Sequence, residues 1–335
     1  MNKAKLLFLG TGGVSDAVRL QLPAIELSKH DYSIKLVSLE EFRQQENYQR
    51  LNRVMEDNYA CVLVSRPSSS KLMHFLKERN ERVIVDMDDD FHSIPVHHPG
   101  YRSVGMGNPK FIGEIEECIS VADGLIVTTE ALKERWAPHQ SNIRIIPNGW
   151  SKANPYWGMT SPRDTFNVGW GGTITHRIDF ELIRKPLISL TREYPKICIV
   201  VAGDHKIYQQ FNNVSEKNKL FLPMVQYKDY PLTIGYFDVM LAPVVDDAFN
   251  RAKSDIKLVD ACASRIPFVA SNVGEYAKWK EGGVCVSTED TWYTTLESLY
   301  KHPVFYNHLQ VSGWQYVQAR EMSVLVHRWL EVLEN

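Results

Sequence analysis

The 335-residue sequence has almost no excess charge of either sign: 38 Lys+Arg stand against 40 Asp+Glu, a formal net charge of -2. That balance excludes a strongly basic nucleic-acid coat, although a local basic groove can hide inside a neutral total. Long hydrophobic runs are also missing. The longest, Ile197-Cys198-Ile199-Val200-Val201-Ala202, falls far short of the roughly 20 residues that span a bilayer. Near the N-terminus Leu6-Leu7-Phe8-Leu9 is cut off by Gly10 and is too short for a secretion signal, so the expected location is the cytoplasm. Cysteine is scarce and odd in number. Cys61, Cys118, Cys198, Cys262 and Cys285 are widely spaced and mostly flanked by apolar residues, which reads as buried thiols in a reducing compartment. No CxxC or HxH spacing occurs, so no structural zinc site is expected.

What is present is an ordinary globular composition, 44% hydrophobic and 23% charged, in a chain longer than the roughly 250–300 residues at which single cores stop growing. Two domains are expected. Short β-rich runs alternate with helical periodicity throughout, the pattern of parallel sheets with crossover helices. In the first half the expected strands are 5–9, 33–38, 60–65, 82–86, 124–128 and 143–146, with helices at 16–28, 40–58, 70–79, 109–121 and 129–136. A long loop, 87–108, sits at the carboxyl end of the fourth strand, where loops are usually functional. Periodicity then fades over 151–164, an expected linker between a first domain, 1–150, and a second, 165–312. The second half repeats the alternation, with strands at 166–169, 197–203, 220–222, 239–242, 268–271 and 283–286 and helices at 177–193, 256–264 and 289–300. Residues 303–335 read as helix with an apolar stripe through Val311, Trp314, Val317, Met322, Leu325, Trp329 and Leu333. Ligands of open parallel sheets bind beyond the strands' carboxyl ends, so the site is expected between the domains.

Four stretches could carry chemistry. Gly10-Thr11-Gly12-Gly13 leaves the first strand and opens a helix, where backbone N–H groups can face an anion or a sugar; with Ser15 at the third glycine position it is a poor dinucleotide fingerprint, and a simple tight turn is the alternative. Asp86-Met87-Asp88-Asp89-Asp90 offers oxygen ligands for a divalent metal, or else a helix cap, a strand-end turn or contacts to sugar hydroxyls. His92, His97 and His98 share that loop, and His92, nearest the strand end, is the candidate general base. Gly169-Trp170-Gly171-Gly172-Thr173, followed by His176, Arg177 and Asp179 at a helix start, combines close backbone approach with positive charge and suits a diphosphate. Asp246 to Lys257 precedes another helix: Lys253 and Ser254 could cradle phosphate, and Asp260 could reach ribose hydroxyls. Capping and solvation are the plain alternatives for both.

These residues, with Val85-Asp86, Ala122-Asp123, Val127-Thr128-Thr129, Ile146-Pro147-Asn148-Gly149, Phe237-Asp238, Leu241-Ala242-Pro243, Phe249-Asn250-Arg251-Ala252-Lys253-Ser254-Asp255-Ile256-Lys257 and Ile266-Pro267-Phe268-Val269-Ala270-Ser271, give a resemblance along nearly the whole chain. The sequence resembles a GT-B glycosyltransferase of family 4. The resemblance implies an α/β protein of two Rossmann-like domains facing across a cleft, with a C-terminal helix, 313–335, crossing back to the first domain. It also implies transfer of a sugar from a nucleoside diphosphate sugar, of UDP or GDP type, to a hydroxyl acceptor, with retention of configuration and no catalytic metal. Arg177 and Lys253 would then stabilise the leaving diphosphate in place of a metal. The donor would meet Gly171, Gly172, His176, Asp179, Asn250, Ser254, Lys257 and Asp260. Gly12, Gly13, Asp88, Asp89 and His92 would lie near the acceptor. Asp260 matches the second glutamate of the family's E-x7-E motif, while the first falls on Ala252, so its task at the sugar passes to Asn250, Lys253 or a backbone group.

The acceptor is expected to be a saccharide or glycolipid. A hydroxymethylated base in DNA is an alternative that would use Arg43, Arg50, Arg53, Lys71, Lys77, Arg79 and Arg82 as a basic entrance. A sugar-nucleotide epimerase, or an inactive nucleotide-sugar binding protein suggested by Ala252, are further alternatives. The terminal amphipathic segment allows at most peripheral membrane contact.

Overall fold

The computed structural model describes residues 3–39, 52–79 and 82–334. Most of the expected helix 40–58, including Arg43 and Arg50, lies outside the described residues. Packing divides the chain into two units, Met1–Ser151 with Ala252–Ser254 and Glu321–Asn335, and Lys152–Arg251 with Asp255–Arg320.

The first unit holds six parallel strands, β1 (Ala4–Gly10), β2 (Tyr32–Ser38), β3 (Cys61–Ser65), β4 (Val83–Met87), β5 (Gly124–Val127) and β6 (Ile143–Ile145), in the order β2-β1-β3-β4-β5-β6. Strands covered on both faces need unbroken apolar runs, and Leu6 to Leu9, Val62 to Val64 and Val83 to Val85 are all fully buried. Side-chain caps start the crossover helices: Ser69 for Ser70–Glu78, Asn108 with Pro109 for Pro109–Val121, and Thr129 for Glu130–Trp136. The helix Met322–Glu334 lays Met322, Leu325, Val326, Trp329 and Leu333 against Leu6, Phe8, Leu20 and Ile84.

The expected continuous helix 303–335 is interrupted. Pro303–Val317 packs in the second unit, and a 3-10 turn at Gln318–Arg320 follows. Met322 N–H then donates to the Trp150 carbonyl at 2.8 Å, where Trp150 and Glu321 pair as an isolated parallel bridge. An amide pointing at residue 150 has left the helical ladder, and the apolar periodicity carries no sign of that.

Arg19 lies at the centre of the first unit, 1% exposed. Its guanidinium donates to the Asp86 carboxylate from Nε (3.0 Å) and Nη2 (2.5 Å), and from Nη1 to the Ile146 carbonyl (2.9 Å) and Asn148 Oδ1 (3.1 Å). The face of Trp329 lies 5.1 Å away. Burial lifts the Asp86 carboxyl above its ordinary range, and Arg19 works against that rise.

The second unit repeats the plan with β7 (Phe166–Gly172), β8 (Ile197–Gly203), β9 (Lys219–Pro223), β10 (Val239–Ala242), β11 (Phe268–Ser271) and β12 (Gly283–Val286), ordered β12-β11-β10-β7-β8-β9. Counted from β7 as the first, this is the 3-2-1-4-5-6 order of dinucleotide-binding sheets. β7 runs three residues past the expected end because Trp170 is buried in the core with Phe180, and Gly171 and Gly172 stay in register with Ala202 and Gly203. Arg163 fastens the approach to β7 by donating to the Ser161, Gly235 and Phe237 carbonyls and to Asp238. No helix among the described residues is long and apolar enough to cross a membrane. Cys61, Cys118, Cys198 and Cys262 are free and buried, and burial pushes the Cys198 thiol up to about 11.

Removing one member of a fully buried ion pair leaves an uncompensated charge, so Arg19→Met is expected to lower the unfolding free energy by about 3 kcal/mol or more. Arg19→Met/Asp86→Leu should recover part of that loss in urea unfolding. A single variant as stable as the parent would show that the pair does not organise the unit.

Candidate functional site

In the first unit strand order reverses between β1 and β3, and a ligand crevice of such a sheet lies beyond those two carboxyl ends. After β1 the chain turns through Gly12, at φ +80°, and both Gly12 and Gly13 are exposed. The Gly12 N–H is already committed, donating to Asp16 Oδ2 at 2.6 Å. After β3 comes Arg66, a non-glycine residue at φ +45° whose Nη2 donates to Thr11 Oγ1 at 3.2 Å and whose Nε lies 3.7 Å from Asp88 Oδ1. Sequence reasoning missed Arg66; a lone cation directly after a strand at the reversal point was the available signal.

The acidic run after β4 separates by partner. Asp86 is the counter-ion of Arg19. Asp90 caps the 3-10 turn Phe91–Ser93, accepting from His92 N–H and from Ser93 Oγ at 2.6 Å, and pairs with Arg135 at 3.2 Å. Asp88 and Asp89 are left half-buried at the sheet edge. Burial and the neighbouring Asp88 charge raise the Asp89 carboxyl to about 6, with Lys253 and Arg66 opposing. His92 has Nε2 2.8 Å from Glu116 Oε1 and sets its ring edge-on to Trp136, centroids 5.1 Å apart. Among the described residues no group of three or more His, Cys, Asp or Glu could hold a metal ion.

Lys253 and Ser254 also pack in the first unit. The Ala252 carbonyl accepts from Thr129 Oγ1 at 3.0 Å, and Ser254 Oγ accepts from Asn148 Nδ2 at 2.8 Å. Asn148 therefore joins Arg19 on one side and Ser254 on the other.

In the second unit the reversal lies between β7 and β10. Two groups of expected residues gather at these ends. In one, Lys257 donates to the Gly171 carbonyl at 2.7 Å and lies 5.0 Å over the Trp170 ring. A Cβ on Gly171 would collide with the Tyr230 hydroxyl. In the other, Asp179 is 5% exposed and its Oδ1 accepts from Val245 N–H (2.8 Å) and Asn250 Nδ2 (3.2 Å), while Oδ2 faces His176 Nδ1 (2.9 Å). Arg177 stands exposed in the first turn of the helix Arg177–Glu193. Asp255 is taken up by Arg320 and by Trp279 Nε1.

Asp260 is buried on the helix Ile256–Ala263 and accepts from the Tyr227 hydroxyl at 2.9 Å. Burial raises its carboxyl from 3.8 to about 7, and Tyr227 and Lys257 limit the rise. Tyr227 lies 33 residues earlier in the chain, and no local pattern announces it. Because the folded pKa is above the unfolded one, the folded chain holds the extra proton between about pH 4 and 7, and this group's contribution to stability falls as pH rises through that window. Asp260→Asn should therefore flatten the loss of stability between about pH 5 and 7, read as urea midpoints. An unchanged pH slope would contradict this assignment.

No protein-family model matches the chain, and no curated protein matches it. Solved structures do. Sucrose-phosphate synthase from Thermosynechococcus elongatus superposes with a TM-score of 0.73 at 12% identity, covering 99% of this chain and 98% of that one. Anabaena HepE, solved in complex with UDP and glucose, gives 0.71 at 12% identity over 99% and 100%. The E. coli trehalose-6-phosphate protein bound with UDP-2-fluoro glucose gives 0.68 at 12% identity over 99% of each chain. Two parallel six-stranded sheets in tandem, matched by these structures along almost the entire sequence, leave one architecture: the chain has the GT-B fold.

Proposed function

We propose that this protein is a retaining glycosyltransferase that moves a sugar from a nucleoside diphosphate sugar to a hydroxyl acceptor, a saccharide or glycolipid, in the cytoplasm and without a catalytic metal. The observation that carries the reading is the gathering of Gly171, Lys257, His176, Asp179 and Asn250 at the carboxyl ends of β7 and β10. A donor fits there by chemistry: small residues admit a backbone-hugging diphosphate, and buried polar groups read hydroxyls. The structures of similar fold support a UDP sugar as the first to test, since HepE was solved with UDP-glucose.

As the bond to the anomeric carbon breaks, charge builds on the departing diphosphate. Fixed cations that face it lower the barrier without a metal. Arg177 and Lys253 take that role, with Gly172 and Ser254 beside them, and Asp260 holds the ribose. Gly12, Gly13, Asp88 and Asp89 contact the acceptor, with His92 near its hydroxyl. UDP or GDP binding that survives EDTA in a calorimetric titration is the expected first result. Turnover of the donor should then require an acceptor; epimerised donor without one, or binding without turnover, would favour the alternatives and end this reading. Lys253→Ala and Arg177→Ala should each slow transfer by about 10²-fold without changing the melting temperature, and unchanged rates in both would remove the mechanism.

A further inference from the structure

Asn250 is 5% exposed, and both hydrogens of its side-chain amide are spoken for. Nδ2 donates to Asp179 Oδ1 at 3.2 Å and to the Val245 carbonyl at 3.1 Å. Turning the amide over would set its oxygen against two other acceptors, so the orientation is fixed by its neighbours. The backbone is held as well, the Asn250 N–H donating to Asp247 Oδ1 at 2.8 Å. What remains is Oδ1, buried and without a hydrogen-bond partner. A buried acceptor held rigidly and left unsatisfied calls for a ligand that donates.

We propose that Asn250 Oδ1 is a specificity-determining contact that accepts a hydrogen bond from a hydroxyl of the ligand, with Asp179 as the positioning residue that aims it. This rests on the nucleotide-sugar reading above and assigns one atom within it. Phosphate oxygens only accept at neutral pH, so the diphosphate is the wrong partner for Oδ1, whereas ribose and the transferred sugar both offer hydroxyls. The residue type follows from the same geometry. A carboxylate at position 250 would lie against the Asp179 carboxylate, where like charges repel, while an amide donates to Asp179 and still presents an acceptor. Asp179 also accepts the Val245 N–H, so one carboxylate fixes both the loop after β10 and the side chain it carries.

The test uses calorimetric titration of the full chain with UDP, GDP and ADP and their glucose conjugates. Asn250→Ala should weaken the pair that the parent binds by about tenfold. Loss confined to the glucose conjugate places the hydroxyl on the transferred sugar, and equal loss with the bare nucleotide places it on ribose. Asp179→Asn should produce a similar loss, and the double variant should lose little more, whereas a merely structural role for Asp179 gives additive losses. Asn250→Ser, which keeps a polar group but shortens its reach, replaces Asn250→Ala if the latter does not fold. Parent-like affinity in folded Asn250 variants overturns the inference alone. A parent that binds none of the six compounds overturns the nucleotide-sugar reading and the inference with it.

Discussion

A guanidinium removed from water needs every partner in place at once, and Arg19 imposes that requirement on the first unit. Its partners come from the end of β4 (Asp86), the end of β6 (Ile146), the turn beyond it (Asn148) and the helix Met322–Glu334 (Trp329). A register slip in either strand would strand a charge in the core, so the pair selects one arrangement among many that would bury similar apolar area. Asn148 extends the constraint to Ser254, which places the residue beside Lys253 under the same control.

Around this anchor the carboxylates divide their work. Asp86, Asp90 and Asp255 are consumed by arginines, caps and an indole. Asp88 and Asp89 in the first unit, and Asp179 and Asp260 in the second, sit at the carboxyl ends of strands where burial or a hydroxyl partner sets their charge. Both Asp89 and Asp260 titrate well above an ordinary carboxyl because burial disfavours the anion, and such displaced values gather where chemistry is done.

The sheets were legible in the sequence because parallel strands covered on both faces leave uninterrupted Val, Ile and Leu runs, as at 62–64, 83–85 and 197–201. The roles inside 86–90 were not: five consecutive positions look alike, yet Asp86 is settled by a residue 67 positions away and Asp90 by one 45 away. The glycine turn after β1 reads as an open cradle until Asp16 is seen to occupy the Gly12 N–H. The short helix Ala248–Ala252, which carries Asn250, is only five residues long and has no periodicity to detect. Arg66 escaped for another reason: its left-handed backbone is a property of the fold, held by its own N–H donating to the Asp86 carbonyl at 2.8 Å.

The chain passes between the two units at 151/152, 251/252, 254/255 and 320/321. Neither unit is therefore a contiguous gene segment, and expressing residues 1–151 alone would omit Met322, Leu325 and Trp329 from the first unit's core. The order of synthesis has the same consequence. A nascent chain emerging from the ribosome holds five-sixths of its sequence before the first sheet receives its last helix, so a chaperone would meet the exposed face of Leu6, Phe8 and Ile84 throughout translation of the second unit.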